Sequence, residues 1–219
     1  MNFKEVFVDS LKFPVINLKQ WLILIILFIG SPLVLPFILG MGYLLRIVES
    51  SSNGSNEAPK FNEWKLMFKD GLKYIIGGFM ILMIPGGFLM VMGVNLEGNN
   101  ILSLIILTLV NLVLYYFFIM ALSNMAHTKQ FKAFFDVRKI FGLIKKLGNG
   151  KYFIFVLIFT LMETIITVIV VWPKLGALEY MFLILFALSY LQIFQSRFAG
   201  LVYLKTTEID EIIKKGDIK

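Results

Sequence analysis

Five stretches of the 219-residue chain are too long and too apolar for the half-buried elements of a water-soluble domain: Trp21–Val48, Leu72–Gly93, Ile101–Met125, Tyr152–Trp172 and Leu178–Leu204. They run 28, 22, 25, 21 and 27 residues, 123 in all. A helix rises about 1.5 Å per residue, so about 20 residues cross a hydrocarbon core of about 30 Å. Every stretch meets that length, and only Glu163 and Arg197 place a charge well inside one. The sequence therefore predicts an all-α fold: a single domain, residues 1–219, built as a polytopic membrane bundle of helical hairpins.

Composition removes several function classes. Residues are 58% hydrophobic and only 16% charged, with a mean hydropathy of +0.83, against about 25% charged in soluble domains. No cysteine is present, which excludes disulfides, thiolate metal sites and cysteine nucleophiles. A single histidine, His127, cannot make a histidine-rich metal centre. No Gly-rich phosphate loop and no metal-ligand spacing occur, so no cofactor and no nucleotide-driven pump are expected. The net charge of +7 sits at the borders of the apolar stretches. Basic residues there orient helices and meet anionic headgroups, so the expected partner is the lipid bilayer rather than nucleic acid, with a membrane protein or a second copy beside it. Met1–Gln20 has no small-residue cleavage site, and no cleavable signal is expected.

Three segments have amphipathic spacing. In 3–14, Phe3, Val6, Phe7 and Leu11 share a face and Pro14 is expected to end the helix. In 61–71, Trp64, Met67, Phe68 and Gly71 recur at steps of three and four. In 131–147, Phe134, Val137, Phe141 and Ile144 oppose Lys132, Asp136, Lys139 and Lys146. Such helices are expected to lie in the headgroup plane, the alternative being cytoplasmic connectors packed on the bundle. Each precedes apolar material: the stretch 21–48, then spans 72–93 with 101–125, then spans 152–172 with 178–204. A Ser-rich loop over 49–63 and short links at Val94–Asn100 and Pro173–Ala177 complete the plan.

The first apolar stretch is interrupted by Gly30-Ser31-Pro32 and Pro36, where proline removes a donor and breaks a helix. A single crossing leaves 16 basic residues inside and 4 outside. A broken hairpin over 21–48 moves three lysines inward and makes the split 19 to 1, with Arg197 within the membrane. The positive-inside rule favours the hairpin, with both termini cytoplasmic in a multi-pass protein of the cell membrane. Such a turn needs its backbone shielded by protein.

One buried polar cluster is expected. A carboxylate at Glu163 costs several kcal/mol in hydrocarbon unless paired, hydrated or protonated. The antiparallel final stretch offers Ser189, Gln192, Gln195 and Arg197, with Gln192 level with Glu163. Two readings stay open: a cavity that binds or conducts a solute, and an interhelical hydrogen-bonded clasp, which the small number of polar groups favours. Ser123, Asn124, His127 and Thr128 read as a capping cluster, since a Ser–His pair without an acid is no hydrolase site.

Gly42-Tyr43-Leu44-Leu45-Arg46, then Pro59-Lys60-Phe61-Asn62-Glu63-Trp64 and Asp70-Gly71-Leu72-Lys73, resemble a known pattern. It is that of a prokaryotic, largely archaeal, integral-membrane family known as domain of unknown function 4013. The specific likeness covers roughly residues 30–75 and departs at Ala58, where an acidic-Leu-Pro sequence is more usual. The resemblance implies a multi-helix membrane protein and transfers no activity. Its motif residues Gly42, Tyr43, Arg46, Pro59, Phe61, Trp64, Asp70 and Gly71 are expected to be structural. The expected function is non-enzymatic: a scaffold, lipid-contacting protein or subunit of a membrane assembly. The alternative is a small-solute or ion transporter with its site at Glu163, Gln192 and Arg197. A lipid-modifying enzyme would need clustered carboxylates or histidines that the sequence lacks.

Overall fold

The computed structural model describes residues 3–91, 101–171 and 177–216, and these are all-helical. The elements are α1 (Phe3–Ile16), α2 (Leu18–Ile29), α3 (Leu35–Ser52), α4 (Trp64–Val91), α5 (Ile101–Thr128), α6 (Val137–Leu147), α7 (Asn149–Val171) and α8 (Ala177–Gly216). Two short 3-10 turns, Ser31–Leu33 and Phe131–Phe135, complete them. Among the described residues, Thr108–Thr128 is long and apolar enough to cross a membrane alone. The pair Lys4–Ile16 and Leu18–Ile29 passes the same test jointly, across a bend of 74°. The expected link at 94–100 and nearly all of that at 173–177 lie outside the described residues.

Pro14 does not end α1, which continues to Ile16. Proline removes only its own donor to the carbonyl four residues back, and the disruption falls later, at Asn17. There the backbone N–H and the side-chain amide both donate to the Phe13 carbonyl, at 3.1 and 2.9 Å, and the chain turns into α2.

The stretch 21–48 divides between α2 and α3. Gly30 donates to Ile26, Leu33 to Gly30, Val34 to Ser31 and Ile38 to Val34, at 2.9–3.0 Å. Pro32 and Pro36 have no donor to leave unpaired, so proline at these two positions reduces the unsatisfied backbone of an otherwise apolar turn. A Cβ on Gly30 would lie 3.1 Å from the Pro36 ring, a tight contact.

Helix α3 is the hub, packed against α2, α4, α5 and α8. Its crossings are backbone-close. A Cβ on Gly42 would fall 1.9 Å from the Met67 carbonyl oxygen, and one on Gly71 would fall 1.9 Å from that of Ile38. On the other side of α3, a Cβ on Gly200 of α8 would meet the Val48 carbonyl at 2.5 Å. Small residues at such crossings let helices approach without a hydrophobic driving force between them.

The segment 131–147 is not one amphipathic helix. Asp136 ends the 3-10 turn and caps α6, its Oδ1 accepting from the Lys139 N–H at 3.0 Å. Three residues per turn before Asp136 and 3.6 after it shift the phase of the buried face. Phe134 is buried against Gly77 and Phe118, while Ile140, Leu143, Ile144 and Leu147 form the inner side of α6. Val137 and Phe141, expected to share that side, are outward, Phe141 at 54% exposure.

These crossings predict an asymmetric glycine scan. Gly42→Ala or Gly71→Ala should lower stability by at least about 2 kcal/mol, since backbone rather than a side chain must yield. Gly142→Ala, where nothing lies within 4 Å of the added carbon, should be neutral or stabilising by up to about 1 kcal/mol. Melting in detergent measures both, and equal effects at the three positions would contradict the close crossings.

Candidate functional site

Among the described residues Arg197 is the most buried charge, at 1% exposure. Burying a guanidinium is costly unless its fork is satisfied, and three segments supply partners. Its Nε donates to Asp9 Oδ1 of α1 at 2.7 Å. One terminal nitrogen donates to the Ser55 carbonyl at 2.5 Å and to Ser51 Oγ at 3.2 Å. The other reaches Asn56 Oδ1 at 3.3 Å. Phe13 of α1 lies against the cation, 4.7 Å from Cζ to ring centre, a favourable cation–π placement. Arg197 thus ties α1, the end of α3 and the 53–56 loop to α8.

The other expected cluster members face different neighbours. Ser189 accepts from Trp21 Nε1 of α2 at 2.9 Å and donates to the Phe186 carbonyl. Gln192 accepts from the Tyr74 hydroxyl of α4 at 3.4 Å. Gln195 is buried, and its Nε2 has no hydrogen-bond partner among the described residues. Gln192 and Gln195 share a cavity of about 180 Å³ between α3, α4, α5 and α8, completed by Tyr74, Asn111, Tyr115 and Phe118. The lining carries no charge, so the cavity suits water or an uncharged hydrogen-bonding group rather than an isolated ion. Glu163 is on α7, but its side chain lies outside the described residues. Helix α7 meets α8 through rings, with Phe159 on Phe194 and Phe155 on Phe198.

The motif residues form a second node, between α3 and α4. Tyr43 stacks on Phe61 with centroids 3.8 Å apart, and Phe61 leans on Trp64. Arg46 donates to the carbonyls of Asn62 and Glu63 at 2.6 and 3.2 Å. Its charge also lies 3.7 Å from the Glu63 carboxylate and 4.0 Å from that of Asp70, which pairs with Lys73 at 3.0 Å. Pro59 lines the same recess. Glu63, held by Arg46, has φ of +50°, a conformation a non-glycine residue adopts only when its surroundings impose it. Together these contacts fold the 57–63 loop back onto α3 so that α4 can begin at Trp64.

A third junction joins α5 to α8. Ser123 donates to the Ala199 carbonyl at 2.9 Å, Tyr203 to Asn124 at 3.3 Å, and Asn124 to the Ala133 carbonyl at 2.7 Å. His127 Nδ1 lies 3.3 Å from Ser52 Oγ. Among the described residues no three His, Asp or Glu side chains gather to hold a metal.

Sequence reasoning missed Asp9, Asn111, Tyr74 and Tyr115. Asn111 alone carried a visible signal, an amide in mid-stretch. The latch generates a graded expectation. Arg197→Gln should cost about 3 kcal/mol or more, because it leaves acceptors from several elements unpaired. Ser51→Ala, removing one 3.2 Å bond, should cost about 1 kcal/mol or less. Comparable melting temperatures for the two variants would contradict this assignment.

A family model described as a protein of unknown function, DUF4013, matches residues 23–173. No curated protein and no solved structure matches the chain.

Proposed function

We propose that this chain, which belongs to the DUF4013 family, is a non-enzymatic multi-pass membrane protein with both termini and all its basic segments on the cytoplasmic side. It serves as a lipid-contacting scaffold or as a subunit of a larger membrane assembly. The observation that carries the reading is the Arg197 latch. One side chain binds Asp9, before the first apolar stretch, and Ser55 and Asn56, after it. A single crossing between them would leave these partners on opposite sides of a bilayer. A hairpin of α2 and α3 keeps them together.

Further support comes from what gathers at the same end. Lys129 pairs with Glu49 at 2.7 Å, and His127 approaches Ser52. Arg46 and Lys73 belong to the neighbouring node. Away from this end the outer surface is apolar, with Leu22, Ile26, Ile29, Leu33, Ile105, Leu109 and Val113 exposed, as lipid-facing residues should be. At 12 residues, α2 reaches about 18 Å, short of a full crossing, which suits a re-entrant hairpin. The transporter reading draws on the cavity at Gln192 and Gln195, but Arg197 is engaged by Asp9 and is not offered to a solute.

A cysteine-free background makes topology directly testable. Lys4→Cys and Asn53→Cys should both resist an impermeant thiol reagent in intact cells and react after permeabilisation. Labelling of Lys4→Cys from outside, with Asn53→Cys protected, would establish the five-crossing arrangement instead.

A further inference from the structure

We propose that Lys146, Lys151 and Lys205 form a seat for the phosphate of an anionic phospholipid, with an acyl chain lying along the outer face of α7. The inference rests on the membrane placement proposed above and names a specific lipid position within it. The three lysines come from three helices, α6, α7 and α8, and converge on one groove of about 400 Å³. Its remaining wall is apolar, with Leu147, Ile154 and Phe155. Glu208 and Glu5 offset part of the positive charge at Lys205, and an anion among the three lysines adds attraction to the remainder. Burial lowers the pKa of Lys205 from the ordinary lysine value and Lys151 lowers it further, against the opposing pull of Glu208 and Glu5. A bound phosphate would stabilise the charged form of this half-buried ammonium.

The apolar wall continues in a way that selects a lipid over a free anion. Ile154, Ile158, Leu161 and Ile165 follow one another at steps of four, three and four, and all are exposed. That spacing places them on one face of α7. The stripe starts at the lysine groove and runs about 16 Å away from it, parallel to the path an acyl chain takes below its headgroup. Basic pockets between helices at the cytoplasmic border are where anionic headgroups bind.

The test uses the full-length protein in phosphatidylcholine nanodiscs doped with phosphatidylglycerol, read by the rise in melting temperature with phosphatidylglycerol content. The wild-type protein should be stabilised, and each of Lys146→Gln, Lys151→Gln and Lys205→Gln should weaken the apparent affinity about fivefold, the triple variant about a hundredfold. Lys60→Gln, Lys132→Gln and Lys139→Gln together remove the same charge from exposed positions elsewhere and should leave the response unchanged. Should the triple variant fail to fold, Lys151→Gln alone against Lys151→Arg decides the matter, since arginine should rescue. Equal loss in the control set would mean general surface attraction and would overturn the proposal. A matching stabilisation by inorganic phosphate in phosphatidylcholine alone would assign the groove to a free anion and overturn it too. Thiol labelling of Lys4→Cys and Asn53→Cys in intact cells keeps the two readings apart: both protected until permeabilisation, with no phosphatidylglycerol response in nanodiscs, rejects the lipid seat while membrane placement stands.

Discussion

The guanidinium of Arg197 is the contact on which the arrangement of this protein most depends. A buried cation with fewer partners would destabilise the helix that carries it. Here Asp9, Ser51, Ser55 and Asn56 share its donors, and Phe13 covers the charge. Those partners come from segments that would otherwise be independent: a bent N-terminal helix pair, the end of the hub helix and a Ser-rich loop. Satisfying one side chain therefore fixes the position of all three relative to α8. Specificity rather than net stability is the main product of such an interaction, because an apolar replacement could pack as well without constraining the register.

The hub helix supplies the complementary constraint. Gly42, Gly71 and Gly200 allow α4 and α8 to approach α3 at backbone distance, which aligns the ends of all three helices. Arg46 then secures the loop between α3 and α4 through two carbonyls. The stretch from Gly42 to Gly71 that resembles the family pattern thus has a mechanical account. Its glycines set the crossing, its aromatics fill the space above it, and its arginine closes the loop.

Helical class and family membership were legible from sequence because they rest on length and local pattern: long apolar stretches admit few folds, and the Gly-Tyr-Leu-Leu-Arg and Asp-Gly-Leu-Lys elements are distinctive. The break at Gly30–Pro36 was visible for the same reason, since proline chemistry is local. What escaped was non-local or depended on phase. Asp9 and Arg197 are 188 residues apart, and an aspartate on a surface-type helix reads as solvated. Val137 and Phe141 were placed on one face with Phe134 and Ile144 by a period that the 3-10 turn before Asp136 interrupts. The cavity joins Gln192 and Gln195 of α8, which the sequence grouped, to Tyr74 of α4 and Asn111 and Tyr115 of α5, whose convergence is set by packing between helices.

If the latch holds the N-terminal helix on the same side as the 53–56 loop, Asp9 and Arg197 must be energetically coupled in the folded protein. A double-mutant cycle with Asp9→Ala, Arg197→Met and the double variant, followed by melting in bilayer nanodiscs, measures that coupling. The account predicts an interaction energy of about 1 kcal/mol or more, with the double variant recovering part of the loss caused by Asp9→Ala alone. Additivity within about 0.3 kcal/mol would contradict it, because two residues that do not meet cannot hold α1 and the loop together.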